Sequence, residues 1–232
     1  MLREIVLDTE TTGTNPAGDR IVEIGCVELL NYIPTGRTYH VYVNPQRAMS
    51  QGAFEVHGLS DSFLADKPMF PAIAPDFMEF VEGARLVIHN AAFDVGFLNA
   101  ELGRCGHPTF ELHKAACTLS MARRKHPGSP ASLDALCSRY GIDNSRRTKH
   151  GALLDAEILA EVYIELIGGK QADLGLAVGR GSARRGDAAI VMPLQERQVP
   201  TSRLTDAERE AHIAFVATLG GNALWRDYLK EG

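Results

Sequence analysis

Cysteine is scarce in this chain: four residues in 232, at Cys26, Cys105, Cys117 and Cys137, with no Cys-x-x-Cys spacing among them. That scatter argues against both a zinc ribbon and a disulfide framework. Long apolar runs are missing as well. Nothing approaches the roughly 18 consecutive apolar residues of a membrane-spanning helix, and the amino terminus has no apolar signal core. The expectation is a reduced, soluble, cytoplasmic protein with no membrane partner. Basic charge is not in excess either, since 24 Lys and Arg stand against 29 Asp and Glu, for a net charge of −5. This balance excludes a broad positive surface that coats a duplex. A small site that clasps one strand end through metal ions suits an acidic chain. The remaining composition, 45% hydrophobic and 23% charged, is ordinary for a globular protein. At roughly 150 residues per domain, the length holds one full domain and an appendage.

Arg3 to Leu7 is an aliphatic, β-branched run without helical period and reads as a buried strand. Ile21 to Leu30 reads as a second strand and Thr38 to Val43 as a third, with Pro34-Thr35-Gly36 as the turn between them. The three are close enough for an antiparallel meander. Ser60-Asp61 reads as a helix cap. Ile73, Phe77, Phe80 and Val81 recur at helical spacing, Leu86 to Ile88 form a short buried strand, and Phe93, Phe97, Leu98 and Leu102 mark a helix from Ala91. A strand end at Ala115 to Thr118 and helices at Leu133 to Tyr140 and Ala152 to Ile167 follow. Strands first and strand–helix alternation afterwards predict an α/β layer, a mixed sheet covered by helices.

Asp8 and Glu10 follow directly on the first strand, in Leu7-Asp8-Thr9-Glu10-Thr11-Thr12-Gly13. Side chains alternate along a strand, so both carboxylates point to one side. Like charges that close raise each other's pKa unless a cation lies between them, and Mg²⁺ takes oxygen ligands of this kind. Two further acids are oddly placed. Asp94 shares a helix face with Phe97, Leu98 and Leu102, and Asp155 shares one with Ile158, Leu159 and Val162. A carboxylate at the edge of an apolar stripe is costly to desolvate unless it is paired or bound to metal. His150 precedes Asp155 by five residues, a spacing that sets two side chains well apart on a regular helix. It is therefore expected on the loop before the helix, free to approach from outside. The ordinary imidazole pKa near 6.5 suits removal of a proton from water at neutral pH. Singly, each residue has a plainer explanation: a solvated strand end, a helix N-terminus that favours an acid, a surface histidine in a basic loop. Together, four acids and a histidine form a kit for two-metal phosphodiester hydrolysis, with ions about 3.5–4 Å apart activating water and stabilising the leaving oxygen.

Asp8-Thr9-Glu10-Thr11-Thr12-Gly13, then His89-Asn90-Ala91-Ala92-Phe93-Asp94, then His150 ahead of Asp155, resemble in that order the motifs of the DEDD-type 3′→5′ exonucleases, histidine subtype. The three motifs span nearly all of residues 1–168. Within the family the chain most resembles members that proofread for bacterial replicative polymerases, a likeness that includes Val56-His57-Gly58. The resemblance implies a ribonuclease H-like fold with a mixed five-stranded sheet. It implies Asp8, Glu10 and Asp155 as direct ligands of two divalent cations, Mg²⁺ or Mn²⁺, with Asp94 assisting the second through water and His150 as general base. The terminal nucleotides of a DNA 3′ end, single-stranded or frayed, would lie against Asp8, Glu10, Thr11, His57, Phe93 and Asp155, with Phe93 offering a stacking face. One departure stands out. Where relatives often carry an acid a few residues before the matching histidine, this chain has Gly52, and Glu55 is out of register.

Composition changes after Gly168. Residues 169–203 are glycine-rich and locally basic, as in Gly179-Arg180-Gly181-Ser182 and Arg184-Arg185-Gly186, and read as a flexible linker behind an exonuclease domain at 1–168. Gln171 to Leu176 resembles the hexapeptide by which bacterial replication proteins bind the sliding clamp. Thr205-Asp206-Ala207-Glu208 starts a capped helix in a tail at 204–232. Its apolar residues, among them Phe215, Val216 and the sole tryptophan Trp225, are too few for a core of their own. They need a surface to cover them, either the domain itself, by folding back, or a partner protein. The resemblance makes that partner the polymerase catalytic subunit. Two rivals stand beside a proofreading DNA exonuclease. One is an RNA-trimming exoribonuclease of the same family, since no residue visibly excludes a 2′-hydroxyl. The other is a catalytically idle module that braces a polymerase and would have no need for these carboxylates.

Overall fold

The computed structural model describes residues 2–147, 149–168 and 205–219. The linker expected over 169–203, its hexapeptide Gln171 to Leu176 and the tail beyond residue 219 lie outside the described residues. The chain divides into two units, Met1–Val178 and Gly179–Gly232.

In the first unit, β1 (Arg3–Thr11) runs through the middle of a five-stranded sheet. It pairs antiparallel with β2 (Ile21–Leu30), which pairs antiparallel with β3 (Ile33–Tyr42) at one edge. On its other side β1 pairs parallel with β4 (Arg85–Ile88), and β4 with the two-residue β5 (Ala116–Cys117). Helices α1 (Gln51–His57), α2 (Asp61–Leu64) and α3 (Phe70–Val81) precede β4; α4 (Ala91–Arg104) follows it. After β5 come α5 (Thr118–Lys125), α6 (Leu133–Tyr140) and α7 (Ala152–Leu166). This is the expected ribonuclease H-like arrangement, a mixed sheet flanked by helices.

β1 is covered on both faces, so its apolar residues run on without a polar alternation. Ile5 and Leu7 join one core with Phe70 and Phe77 of α3 and Phe97 and Leu98 of α4. Val6 joins the other, with Leu136 of α6 and Leu159, Val162 and Tyr163 of α7. Full burial of a side chain of this size contributes about 1.5–3 kcal/mol. The two cores thereby hold α4 and α7 against opposite faces of the strand that carries Asp8 and Glu10.

The turn expected at Pro34-Thr35-Gly36 is elsewhere. Asn31 and Tyr32, with φ of 49° and 67°, close the β2–β3 hairpin, and two positive φ values match the twist of the flanking strands. Pro34 lies inside β3, which an edge strand tolerates because one side needs no ladder donors. Thr35, Gly36 and Arg37 bulge between the pairs Val27–Thr38 and Leu29–Pro34. Thr35 and Arg37 then donate to the buried Glu28 carboxylate at 2.8 and 3.0 Å. The strands and helices expected elsewhere appear within a few residues of their places, and α1 and α5 are additional helices.

In the second unit, α8 (Asp206–Thr218) opens on a capping box: the Thr205 hydroxyl accepts from the Glu208 amide at 3.3 Å while the Glu208 carboxylate accepts from the Thr205 amide at 2.9 Å. All four cysteines are free. Among the described residues no helix is long and apolar enough to cross a membrane.

Candidate active site

β1 carries Asp8 and Glu10 at its C-terminal end, where the register with β2 shifts between Glu10 and Thr11, an irregularity of the kind that re-aims side chains beside active sites. Glu10 lies opposite Glu23 of β2. It is 8% exposed, and its Oε1 is buried without a hydrogen-bond partner. Asp8 is half-buried and lies opposite Gly25. A Cβ on Gly25 would come within 2.2 Å of the Ala152 carbonyl carbon and the Leu153 amide nitrogen. The absent side chain lets the first turn of α7 rest directly on β2, and that contact brings the buried Asp155 to the carboxylates of β1.

Asp94 arrives from the first turn of α4, behind Asn90 in the left-handed region at φ 66°. Its Oδ1 accepts from the Thr9 amide at 3.1 Å and from the Thr9 hydroxyl at 2.7 Å. His150 lies on the loop before α7, as expected from its spacing, and its amide donates to the Val56 carbonyl at 3.3 Å. Its Nδ1 is 3.3 Å from Asp155 Oδ2. Glu10, His150 and Asp155 each present a ligand atom within 4.8 Å of the others, the one such cluster among the described residues. Arg147 closes this side: its Nε and Nη2 donate to the two Asp155 oxygens at 2.5 and 2.8 Å.

The electrostatics join Asp8 and Asp94 to that trio. Burial, and then the charges of Asp94, Glu10 and Asp155, push the Asp8 carboxyl well above the ordinary carboxylate range. Burial, then Glu23, Asp155 and Asp94, raise Glu10 to about 8. Burial lifts Asp94 to about 7 against the opposing bonds from Thr9. Asp155 goes the other way: burial pulls it up, but the bonds from His150 and Arg147 outweigh burial and hold it low. Asp8 and Glu10 therefore lie within electrostatic reach of Asp94 and Asp155. The donor set fits a divalent cation, because hard carboxylate oxygens predominate and one buried oxygen of Glu10 lacks any partner in the protein.

Beside the acids lies a cleft of about 470 Å³ whose walls include Glu10, Thr11, Gly52, Val56, His57 and Phe93. Four residues expected to hold nucleotides, Glu10, Thr11, His57 and Phe93, therefore share one cleft, while Asp8 and Asp155 are not in its wall. The Leu59 amide donates to His57 Nδ1 at 3.0 Å. Nε2 must then carry the proton, and it donates to the Thr11 carbonyl at 3.3 Å. With burial also lowering its pKa, His57 is a neutral ring that ties α1 to the end of β1 and shapes the cleft. Phe93 is half-buried and leans on Phe97 at 4.9 Å between centroids. Nothing lies within 4 Å of a Cβ built on Gly52. Glu55 accepts a bond from Gln51 at 2.9 Å along α1 and is not in the cleft wall.

Arg147, Glu23, Gly25 and Thr9 are site residues that sequence patterns do not single out. Arg147 is hidden in the basic run Arg146-Arg147-Thr148-Lys149, and Glu23 follows two aliphatic residues as an ordinary strand acid. Only Gly25, a glycine inside an apolar strand, carried a usable signal of close backbone approach.

The family model described as Exonuclease matches residues 5–163, and the chain belongs to that family. It is a 3′→5′ exonuclease. Among curated proteins it is similar to DNA polymerase III subunit epsilon of Escherichia coli (strain K12), 47% identical over 238 residues that cover 97% of each chain. The same subunit of Rickettsia felis is 55% identical over 174 residues, 73% of this chain and 76% of the relative. Among solved structures, exonuclease X in complex with 5′ overhanging duplex DNA is 27% identical with a TM-score of 0.53, over 72% of this chain and 92% of that one. An exonuclease I structure, 18% identical over 73% of this chain and 41% of its own, shares the fold with a TM-score of 0.62.

Proposed function

We propose that this exonuclease removes mismatched nucleotides from DNA 3′ ends as the proofreading subunit of a replicative DNA polymerase. The observation that carries this reading is the convergence of Glu10, His150 and Asp155, within 4.8 Å of one another, next to a cleft walled by Phe93 and Thr11. Similarity to DNA polymerase III subunit epsilon along 97% of the chain supports the polymerase part of it. Two divalent cations, Mg²⁺ or Mn²⁺, held by Asp8, Glu10 and Asp155 with Asp94 behind the second, would supply an activated water and a stabilised leaving oxygen.

The protein's own groups do the rest. His150, half-exposed on its loop, takes the proton from the attacking water, a role that contributes roughly 10²–10⁴-fold when the base is well placed. Phe93 stacks on the terminal base, and Thr11 and Glu10 line the path of the last sugar. Frayed ends are preferred because a mismatched terminus costs less to unpair. The tail at 204–232 is the polymerase contact, and α8 supports this with Ile213, Phe215 and Leu219 exposed. Gln171 to Leu176 is a contact for the sliding clamp. A cytoplasmic location goes with this role.

The test is nucleotide release from a DNA primer with a 3′ mismatch. The full chain with Mg²⁺ should shorten it faster than a matched primer, and both excess EDTA and Asp8→Ala should abolish release. Hydrolysis that persists in both would refute the metal assignment, and faster trimming of a matched RNA would move the reading to an exoribonuclease.

A further inference from the structure

The acid pocket already contains one cation, the guanidinium of Arg147. Its side chain is 8% exposed. Nε and Nη2 grip both oxygens of Asp155 at 2.5 and 2.8 Å, Nη1 donates to Asp134 in the first turn of α6 at 2.9 Å, and Nη2 lies 2.8 Å from His150 Nδ1. A guanidinium paired edge-on with a carboxylate occupies both oxygens at once. Those oxygens are the atoms through which Asp155 would ligate a metal, and two cations on one carboxylate edge repel.

We propose that Arg147 is a resident counter-ion of the site: it holds Asp155 and His150 in the metal-free protein, and a divalent cation binds there only as Arg147 releases Asp155 while keeping its bond to Asp134. This rests on the metal reading given above. Asp134 makes the exchange workable, because it belongs to a different helix from Asp155 and its side chain is 59% exposed. An arginine released from Asp155 therefore keeps one charged partner. The same movement frees His150, which otherwise lies between Arg147 and Asp155. Metal loading and release of the base become one event.

Two measurements on the full chain test this. In EDTA, the Arg147 Nε–H resonance, assigned by through-bond connectivity in ¹⁵N-labelled protein, should stand apart from those of exposed arginines, and saturating Mg²⁺ should shift or broaden it. Mn²⁺ titrated under electron paramagnetic resonance should bind R147Q about tenfold more tightly than wild type, the worth of one charge-assisted bond. Wild-type stability in EDTA should exceed that of R147Q, with Mn²⁺ closing the gap. An Arg147 resonance that Mg²⁺ leaves in place, or Mn²⁺ affinity in R147Q equal to or weaker than wild type, overturns the proposal. Failure of wild type to bind Mn²⁺ at all overturns the metal reading with it.

Discussion

Thr9 donates both its amide and its hydroxyl to the same oxygen of Asp94, at 3.1 and 2.7 Å. The strand that presents Asp8 and Glu10 on one side is thus tied through the intervening residue to the helix that supplies another acid. Thr9→Val keeps the β-branched shape and the amide bond but removes the hydroxyl donor. A buried carboxylate short of one donor costs about 1–3 kcal/mol. Urea unfolding in EDTA should show that loss, and nucleotide release should slow as Asp94 loses its tether. An unchanged midpoint together with an unchanged rate would mean that the bond holds nothing in place.

Gly25 sets the approach of α7 to the sheet. A methyl group there would sit 2.2 Å from backbone atoms of Ala152 and Leu153, and backbone cannot move aside as a flexible side chain does. Overpacking of this kind typically costs about 1–3 kcal/mol, occasionally more. Gly25→Ala should lower the melting temperature and reduce activity far more than the stability loss alone explains, because the shift displaces Asp155 and His150 together. Near-wild-type kinetics in a folded G25A protein would show that the contact does not position the acids.

The buried carboxyls give the metal-free protein a characteristic pH dependence. Folding raises Glu10 from 4.5 to about 8 and Asp94 from 3.8 to about 7, burial being the main cause in each case. Between those values the folded chain keeps protons that the unfolded chain has released, so raising the pH favours unfolding. The stability these groups contribute is present below their unfolded pKa and is lost as pH rises through 7 to 8. In EDTA the melting temperature should fall from about pH 5.5 to about pH 8.5, and Glu10→Gln should flatten the fall. Equal slopes for wild type and E10Q would contradict the placement of Glu10 among the acids.

Much of the site was legible in the chain because its chemistry conflicts with its surroundings. Asp94 and Asp155 interrupt apolar helix faces, and Asp8 and Glu10 end an aliphatic strand; both conflicts are visible in spacing alone. The loop position of His150 followed from its offset from Asp155. Other features depend on contacts between distant segments. The hairpin turns at Asn31-Tyr32 because an edge strand absorbs Pro34 and a bulge absorbs Gly36, whereas Pro and Gly by themselves read as the turn. α5 is short and ends in Arg123, Arg124 and Lys125, so it shows little apolar period. Arg147 reads as one more surface charge until the fold sets it against Asp155. The pairing of Glu10 with Glu23 exists only in the β1–β2 register.

The central claim is that Glu10, Asp155 and His150, with Asp8 and Asp94 around them, form a divalent-cation site that drives hydrolysis at a DNA 3′ end. Crystals of the full chain soaked in Mn²⁺ and measured at the manganese absorption edge test it most directly. The account predicts anomalous density between the carboxylates of Asp8, Glu10 and Asp155, with Arg147 turned away from Asp155. Manganese bound elsewhere, or a pocket without anomalous density in a preparation that still shortens a mismatched primer in Mn²⁺, would contradict it.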